Sequence, residues 1–370
     1  MSYTRKGTLT VDHTQCGSSD SSNFAVRVLI TDATLKLVGN GGAIQNTVSS
    51  NGQTVPADLC FFSDAGLTTP ISNFEIESHD GTAGTILAWV KIPTVSHTSD
   101  TVFYMGYGDA SVVTFQGNVN ATWDGNFVGV WHFADGTTLG LKDSTSNALH
   151  GTNHDATAAT GQQGGGVNFD GTDDYVDIGS STGAADNLST MTVTCWLKAP
   201  TTFGGNFSQL VGKINDTNTA AGWSFILKGT GSGHPGKLTF FAQESGGSVF
   251  SQGYSQVTFN DNAWHKATLV KNGAGFANMT LYVDGSSSAM DDVSAGSASS
   301  FSNAVDIQFG NMVGLESYAT VTLDEVRISS VVRSADWDLQ EYNNQKAGST
   351  FLGVSLAANG AAPRFLLVHP

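Results

Sequence analysis

Cysteine, proline and basic side chains are all scarce in this chain of 370 residues, which holds three cysteines, seven prolines and 16 Lys plus Arg. Cys16, Cys60 and Cys195 are too few and too scattered for a disulfide framework, and no C-x-x-C spacing offers zinc a site. Cys195, in "TMTVTCWLKAP", reads as a small buried hydrophobe, while a Cys16–Cys60 bridge stays geometrically open. Against the few cations stand 32 Asp plus Glu, for a net charge of −16. Such a balance repels a phosphate backbone and excludes nucleic acid as a partner. No stretch of 18 consecutive apolar residues exists, which excludes insertion of a helix into a membrane. The opening "MSYTRKGTLTVDHT" lacks the apolar core of a secretory signal and predicts a route other than general export. Catalytic signatures are missing too. The glycine-rich "GNGGAIQN" (39–46) has no strand–turn–helix context for a nucleotide, and no G-x-S-x-G elbow precedes a helix.

What is present is glycine, 44 residues of it, with abundant Ser and Thr and only 13% charged residues. That composition disfavours helices and suits short strands joined by turns. Period-two alternation appears in "FAVRVLI" (24–30), where Phe24, Val26, Val28 and Ile30 share a face, and again in "ILAWVKI" and "TVFYMGYG". The pattern relaxes over "DASVVTFQGNVNATWDGNF" and resumes at "VGVWHF", from where a dozen further short strands follow, each about one turn from the next. Parallel crossovers need helices that this region lacks, so the strands predict a sandwich. Only "SADWDLQEYNNQK" (334–346) reads as a helix, with Ser334 as N-cap, Asp336 and Asp338 near its positive end, and Gly348 as its stop. The expected organisation is an N-terminal β-sandwich over residues 1–115, a linker at 116–128, a second sandwich at 129–356, and an apolar tail at 357–370 that docks on this chain or a neighbour.

Several stretches of the second region, in order and spacing, carry a family likeness: "WHF" (131–133), "KDSTSNALHGT" (142–152), "GGGVNFDGTDDYVDIG" (164–179), "VTCWLKA" (193–199), "NAWHKATLVKNG" (262–273), "LYVDG" (281–285) and "LDEVRIS" (323–329). The region resembles the laminin-G-like, concanavalin A-type jelly rolls. The first region, through "YTRKGTLTVD" (3–12), "FEIESHDGTAGTILAWVKIPTVS" (74–96) and "DTVFYMGYGDAS" (100–111), is similar to a β domain that precedes such jelly rolls in bacterial and phage surface proteins. The likeness implies an all-β, two-domain surface protein, with Trp131, Trp196 and Trp264 at core positions and Asp170 at a strand end.

Four aspartates, Asp170, Asp173, Asp174 and Asp177, crowd the glycine turn of "NFDGTDDYVDIG". Strict alternation in "VTLDEVRIS" places Asp324 on one face with Val326 and Ile328, and Glu325 on the other with Arg327. A carboxylate among apolar neighbours needs compensation, and calcium, with its six to eight oxygen ligands, is one form of it. Asp143, Asp170 and Asp324 are the expected ligands of a structural calcium. The competing expectation is that Asp143 and Asp170 shape turns while Asp324 accepts backbone hydrogen bonds. For sugar binding, where the flat face of a pyranose stacks on an aromatic ring, Trp223, Tyr254, Tyr318, Phe203 and Phe207 are the expected residues.

The resemblance implies a non-enzymatic virion surface protein, tail-associated or capsid-decorating, made in the host cytoplasm, with a lectin-like module for a host-cell glycan or a protein partner. Other virion proteins are expected as partners, as is self-association. A bacterial cell-surface location, a purely architectural decoration role without a ligand, and a polysaccharide-cleaving enzyme stay open as alternatives. For the last, Glu75-Ile-Glu77 is the nearest imitation of a paired acid.

Overall fold

The computed structural model describes residues 2–134, 137–179, 189–205, 207–215, 221–246, 248–298, 303–314, 317–358 and 364–365. Its ladders are antiparallel, and its α-helices are Ala335–Gln345 and the single turn Val119–Thr122. The protein is all-β, as its composition predicts. Two units emerge: Met1–Asp124 with Ser144–Ser146 and Leu339–Pro370, and Gly125–Asp143 with Asn147–Asp338.

The first unit is a β-sandwich. One sheet of six strands runs in the order Arg364–Phe365, Leu352–Ala358, Arg5–Val11, Thr101–Tyr107, Leu59–Phe62, Pro70–Ile71, and a second of three places Thr85–Val95 between Ser21–Thr31 and Phe74–Asp80. Alternation in "FAVRVLI" works as expected, with Phe24, Val26, Val28 and Ile30 buried and Leu29 facing out. Phe61 of the larger sheet meets Phe74 of the smaller edge-to-face at 5.0 Å. Cys16 and Cys60 are both buried and free, so the bridge left open by the sequence is not formed. Burial pushes the Cys60 thiol up to about 12 and removes it from thiolate chemistry.

The expected boundary at residue 356 needs correction. Strand Leu352–Ala358 was assigned to the second sandwich, yet it pairs along its whole length with Arg5–Val11 in the first, from Arg5↔Ala358 to Val11↔Leu352. Gly7 permits the close approach, because a Cβ there would lie 2.9 Å from a methyl of Leu356. The end of the helix belongs to the first unit as well, for a polar reason. Asn344 brackets Arg27, accepting from its N–H at 2.6 Å and donating to its carbonyl at 3.2 Å, as a neighbouring strand would. Gln340 and Asn343, on the same helical face, donate to the carbonyls of Cys16 and Gln15. At the other end Ser334 caps the helix as predicted, accepting from the Trp337 N–H at 3.1 Å. Of the apolar tail, Arg364–Phe365 pairs with Leu352–Ala358. Residues 359–363 and 366–370, on which the docking expectation also falls, lie outside the described residues.

In the second unit two eight-stranded sheets enclose one core. The first sheet runs Thr157–Thr160, Gly165–Asp170, Thr320–Ser329, Thr190–Lys198, Trp264–Asn272, Met279–Val283, Ser286–Ser288, with Phe127–Trp131 also paired to Thr320–Ser329. The second runs Thr152–His154, Tyr175–Gly179, Ile307–Phe309, Phe207–Lys213, Gly222–Lys228, Lys237–Gln243, Phe250–Thr258, Met290–Asp292. Of the three tryptophans the likeness puts at core positions, Trp131 is in the core and packs edge-to-face on Phe309 at 5.1 Å, Trp196 is buried outside that core, and Trp264 is half-buried. Strict alternation fails within strand Thr320–Ser329. Glu325 takes a left-handed φ of 50° and the register against Thr190–Lys198 slips between Thr194 and Trp196. This bulge brings Leu323 and Val326, three positions apart, into the same core, and both Asp324 and Glu325 are buried.

Replacing Asn344 by Leu strips the Arg27 N–H and C=O of their bracket while keeping the side chain's bulk. The expected cost is about 2–3 kcal/mol, the penalty for orphaned buried groups, read as a fall in the melting midpoint against an exposed control such as Asn120→Ala.

Candidate functional site

A cavity of the second unit lies on the outer face of its second sheet. In "WSFILKG" Trp223, Phe225 and Leu227 point into the core, so Ser224, Ile226 and Lys228 point outward. Ile226 packs there with Ile214 and Met312, and Phe207 and Phe241 lean against them. The outcome is a second, smaller apolar layer outside the sheet. It leaves a hollow of about 370 Å³, within the range of a small-molecule or sugar subsite.

Cross-strand register decides what lines it. Phe207 stands opposite Lys228, and Phe241 opposite Gln252. Tyr254 closes one wall, and Gln243 and Asn215 add amides. The Tyr254 ring stacks on His234 with centroids 4.3 Å apart. The Lys228 ammonium lies 4.0 Å from the centre of the Phe207 ring and 5.8 Å from that of Tyr254, and burial lowers its pKa to about 8. Ring faces, amides and one cation therefore converge on a concave surface.

Two of the five aromatics expected to bind sugar, Phe207 and Tyr254, are in this wall. Trp223 and Phe203 are not available, because both are buried in the main core, Trp223 stacked against Phe240 with centroids 6.4 Å apart. Tyr318 is half-buried on the hairpin of Asn311–Met312 and Ser317–Tyr318, apart from the cavity wall. Sequence reasoning missed Lys228, Gln243 and Gln252. Alternation in "WSFILKG", "KLTFFAQ" and "SQGYSQ" does put them on one face, but in the first two strands both faces carry large apolar residues, and the pattern could not say which was the outer.

The expected calcium trio does not converge. Asp143 is buried and accepts from the N–H groups of Val130 and Leu149 at 3.0 and 2.9 Å. Asp324 accepts from Gln163 N–H at 2.6 Å. Asp170 pairs with Thr320, four residues along the strand from Asp324, which separates them by about 13 Å at the usual rise. Its carboxylate accepts from Thr172 N–H at 2.8 Å across a turn built on Gly171, whose φ is +90°. The carboxylates that do approach one another in this turn are Asp170, Asp173 and Asp174, each with an oxygen within 4.8 Å of the others. Burial, then the charges of Asp170 and Asp173, raise the Asp174 pKa above its ordinary value.

The paired-acid alternative for glycan cleavage finds no open groove at its residues. Glu75 and Glu77 are 2% and 3% exposed, held by the indole N–H groups of Trp123 at 2.6 Å and Trp89 at 2.8 Å. Glu325, though buried, is held below the usual carboxyl range: desolvation pushes it up, and the charges and hydrogen bonds of His132 and Arg327 outweigh it.

With this geometry the family comparison agrees. Residues 170–337 match the family model of the concanavalin A-like lectin/glucanases superfamily, of the laminin-G type. Residues 170–337 of the second unit are thus similar to a concanavalin A-like domain. Among solved structures, the chain is similar to the binding domain of Paraclostridial Mosquitocidal Protein 1, with 15% identity over 59% of this chain and 52% of that one and a TM-score of 0.47. For the botulinum neurotoxin serotype D binding domain the values are 13%, 60%, 51% and 0.43. Domain 4 of AbnA, an extracellular arabinanase from Geobacillus stearothermophilus solved with arabinotriose, gives 17%, 58%, 97% and 0.42. This chain thus spans about half the length of the two toxin domains. No curated protein matches it in sequence.

Because the folded state raises the Asp174 pKa, its ionisation costs stability at neutral pH and nothing below the ordinary value of 3.8. Asp174→Asn, which can still accept from the Asp170 N–H, should raise the melting temperature by about 2 °C at pH 7 in the presence of a chelator, a gain that vanishes near pH 3. Calcium added without chelator tests the same turn: a rise in melting temperature that Asp174→Asn abolishes would identify its ligands.

Proposed function

We propose that the protein is a non-enzymatic recognition protein of a virion surface, tail-associated or capsid-decorating, whose second unit binds a host-cell glycan in the cavity floored by Ile226. The observation that carries the glycan reading is the meeting of the Phe207 and Tyr254 rings with the Gln243 and Gln252 amides on one concave wall. A sugar needs that combination, an apolar platform for its C–H face and hydrogen-bonding groups for its hydroxyls. The likeness to a concanavalin A-like domain supports the reading at the level of fold. Burial of Glu75 and Glu77 favours binding over cleavage, since the commonest hydrolytic mechanism needs two carboxyls flanking an accessible sugar. Placement on a virion, with neighbouring virion proteins as partners, rests on the resemblance carried by residues 3–12, 74–96 and 100–111 and is tested separately, by cross-linking within the native particle.

Purified protein applied to an immobilised panel of bacterial surface glycans should retain at least one class. Tyr254→Ala should weaken that binding about tenfold, equivalent to about 1.4 kcal/mol, with little change in melting temperature because Tyr254 is only half-buried. Undiminished binding by Tyr254→Ala and Phe207→Ala together would place the ligand elsewhere.

A further inference from the structure

Four lysines of the second unit are buried, and three of them have an oxygen partner. Lys213 donates to the carbonyl of Val305 at 2.6 Å, Lys271 to that of Ser189 at 3.2 Å, and Lys266 to Thr268 Oγ1 at 2.9 Å and to the Asp338 carboxylate. Lys228, only 5% exposed, differs. Among the described residues its ammonium makes no hydrogen bond and no ion pair, and meets only the faces of Phe207 and Tyr254. A cation that faces a largely apolar hollow without an anion loses part of its hydration, and ring faces replace only some of what is lost. The chain could have placed Met or Leu on this layer beside Ile226 and Met312 at no such cost. A lysine kept there is accounted for by an anion that arrives with the ligand.

We propose that the glycan bound in this cavity is acidic, and that Lys228 pairs with the carboxylate of a uronic or sialic acid unit while the Phe207 and Tyr254 rings take the apolar face of the sugar. The inference rests on the reading of the cavity as a glycan site and narrows it. The cavity wall holds no second charged side chain among the described residues, so its charge matches one negative group. A dianionic phosphate would remain under-compensated in a protein of net charge −16. The depressed pKa, about 8, agrees with an ammonium that lacks its counter-ion and is still mostly protonated at neutral pH.

Matched sugars test this by calorimetry on the full chain: 3′-sialyllactose against lactose for a sialic acid, and trigalacturonate against its methyl ester for a uronic acid. In at least one pair the acidic member should bind ten-fold or more tighter. Lys228→Met should erase the difference between the two members, whereas Lys228→Arg, which keeps the charge, should retain a preference. Lys228→Met should also melt higher than the wild type without ligand, since it removes an unpaired buried charge. A lower melting temperature would mark Lys228 as structural and overturn the assignment. Equal binding of acidic and neutral members, or a preference that survives in Lys228→Met, would overturn it too while leaving the glycan reading intact. Failure of all four sugars, with the glycan panel also blank, would sink that broader reading, and selective retention of sulfated sugars alone would replace the carboxylate by a sulfate ester.

Discussion

Trp223, Phe225 and Leu227 pin one face of strand Gly222–Lys228 into the core while Ile226 on the other face is covered by Ile214 and Met312, and this burial of a single sheet from both sides shapes everything else in the second unit. An antiparallel sheet with one wet face would show polar residues at every second position. Here the outer layer is incomplete, and where it stops the sheet offers a hollow floored by apolar side chains instead of a solvated surface. Lys228 stands in that hollow because the pleat allows it no other direction. Its neighbours are rings because Phe207 is its cross-strand partner.

Few cations are available to a chain with twice as many acids as bases, so its buried carboxylates find their compensation mainly in N–H groups. Asp143 takes two backbone N–H donors, Asp58 takes those of Gln45 and Asn46, and Glu75 and Glu77 take indoles. Glu325, with His132 and Arg327, and Asp338, with Lys266, are ionic exceptions. The same economy applies to the helix Ala335–Gln345, whose amides bind strand and loop backbone and so satisfy groups that an apolar helix would have left bare. Acids that look like metal ligands in sequence are, in Asp143 and Asp324, structural acceptors.

Much of this was legible beforehand, and the reasons are local. Alternation in "FAVRVLI" put Phe24, Val26, Val28 and Ile30 on the buried face, Ser334 capped its helix, and Gly171 took the positive φ that its turn requires. Failures arose where a residue's meaning depends on a distant partner. Trp223 is expected at a sugar site, yet the pairing of its strand turns it into the core. Asp324 was placed by an alternation that the Glu325 bulge interrupts. Leu352–Ala358 was assigned by proximity in sequence, whereas its hydrogen-bonding partner is at the far end of the chain.

By itself, then, the sequence determined the class of fold, the succession of strands and turns, and the family likeness of residues 170–337, because these follow from side-chain periodicity and backbone preference within a few residues. Only the tertiary structure decided which of two apolar faces is the outer one, which acids meet one another, and that Phe207, Lys228 and Tyr254 share a wall. Those outcomes depend on strand order and register, and the free energy that sets them belongs to pairings between residues tens or hundreds of positions apart.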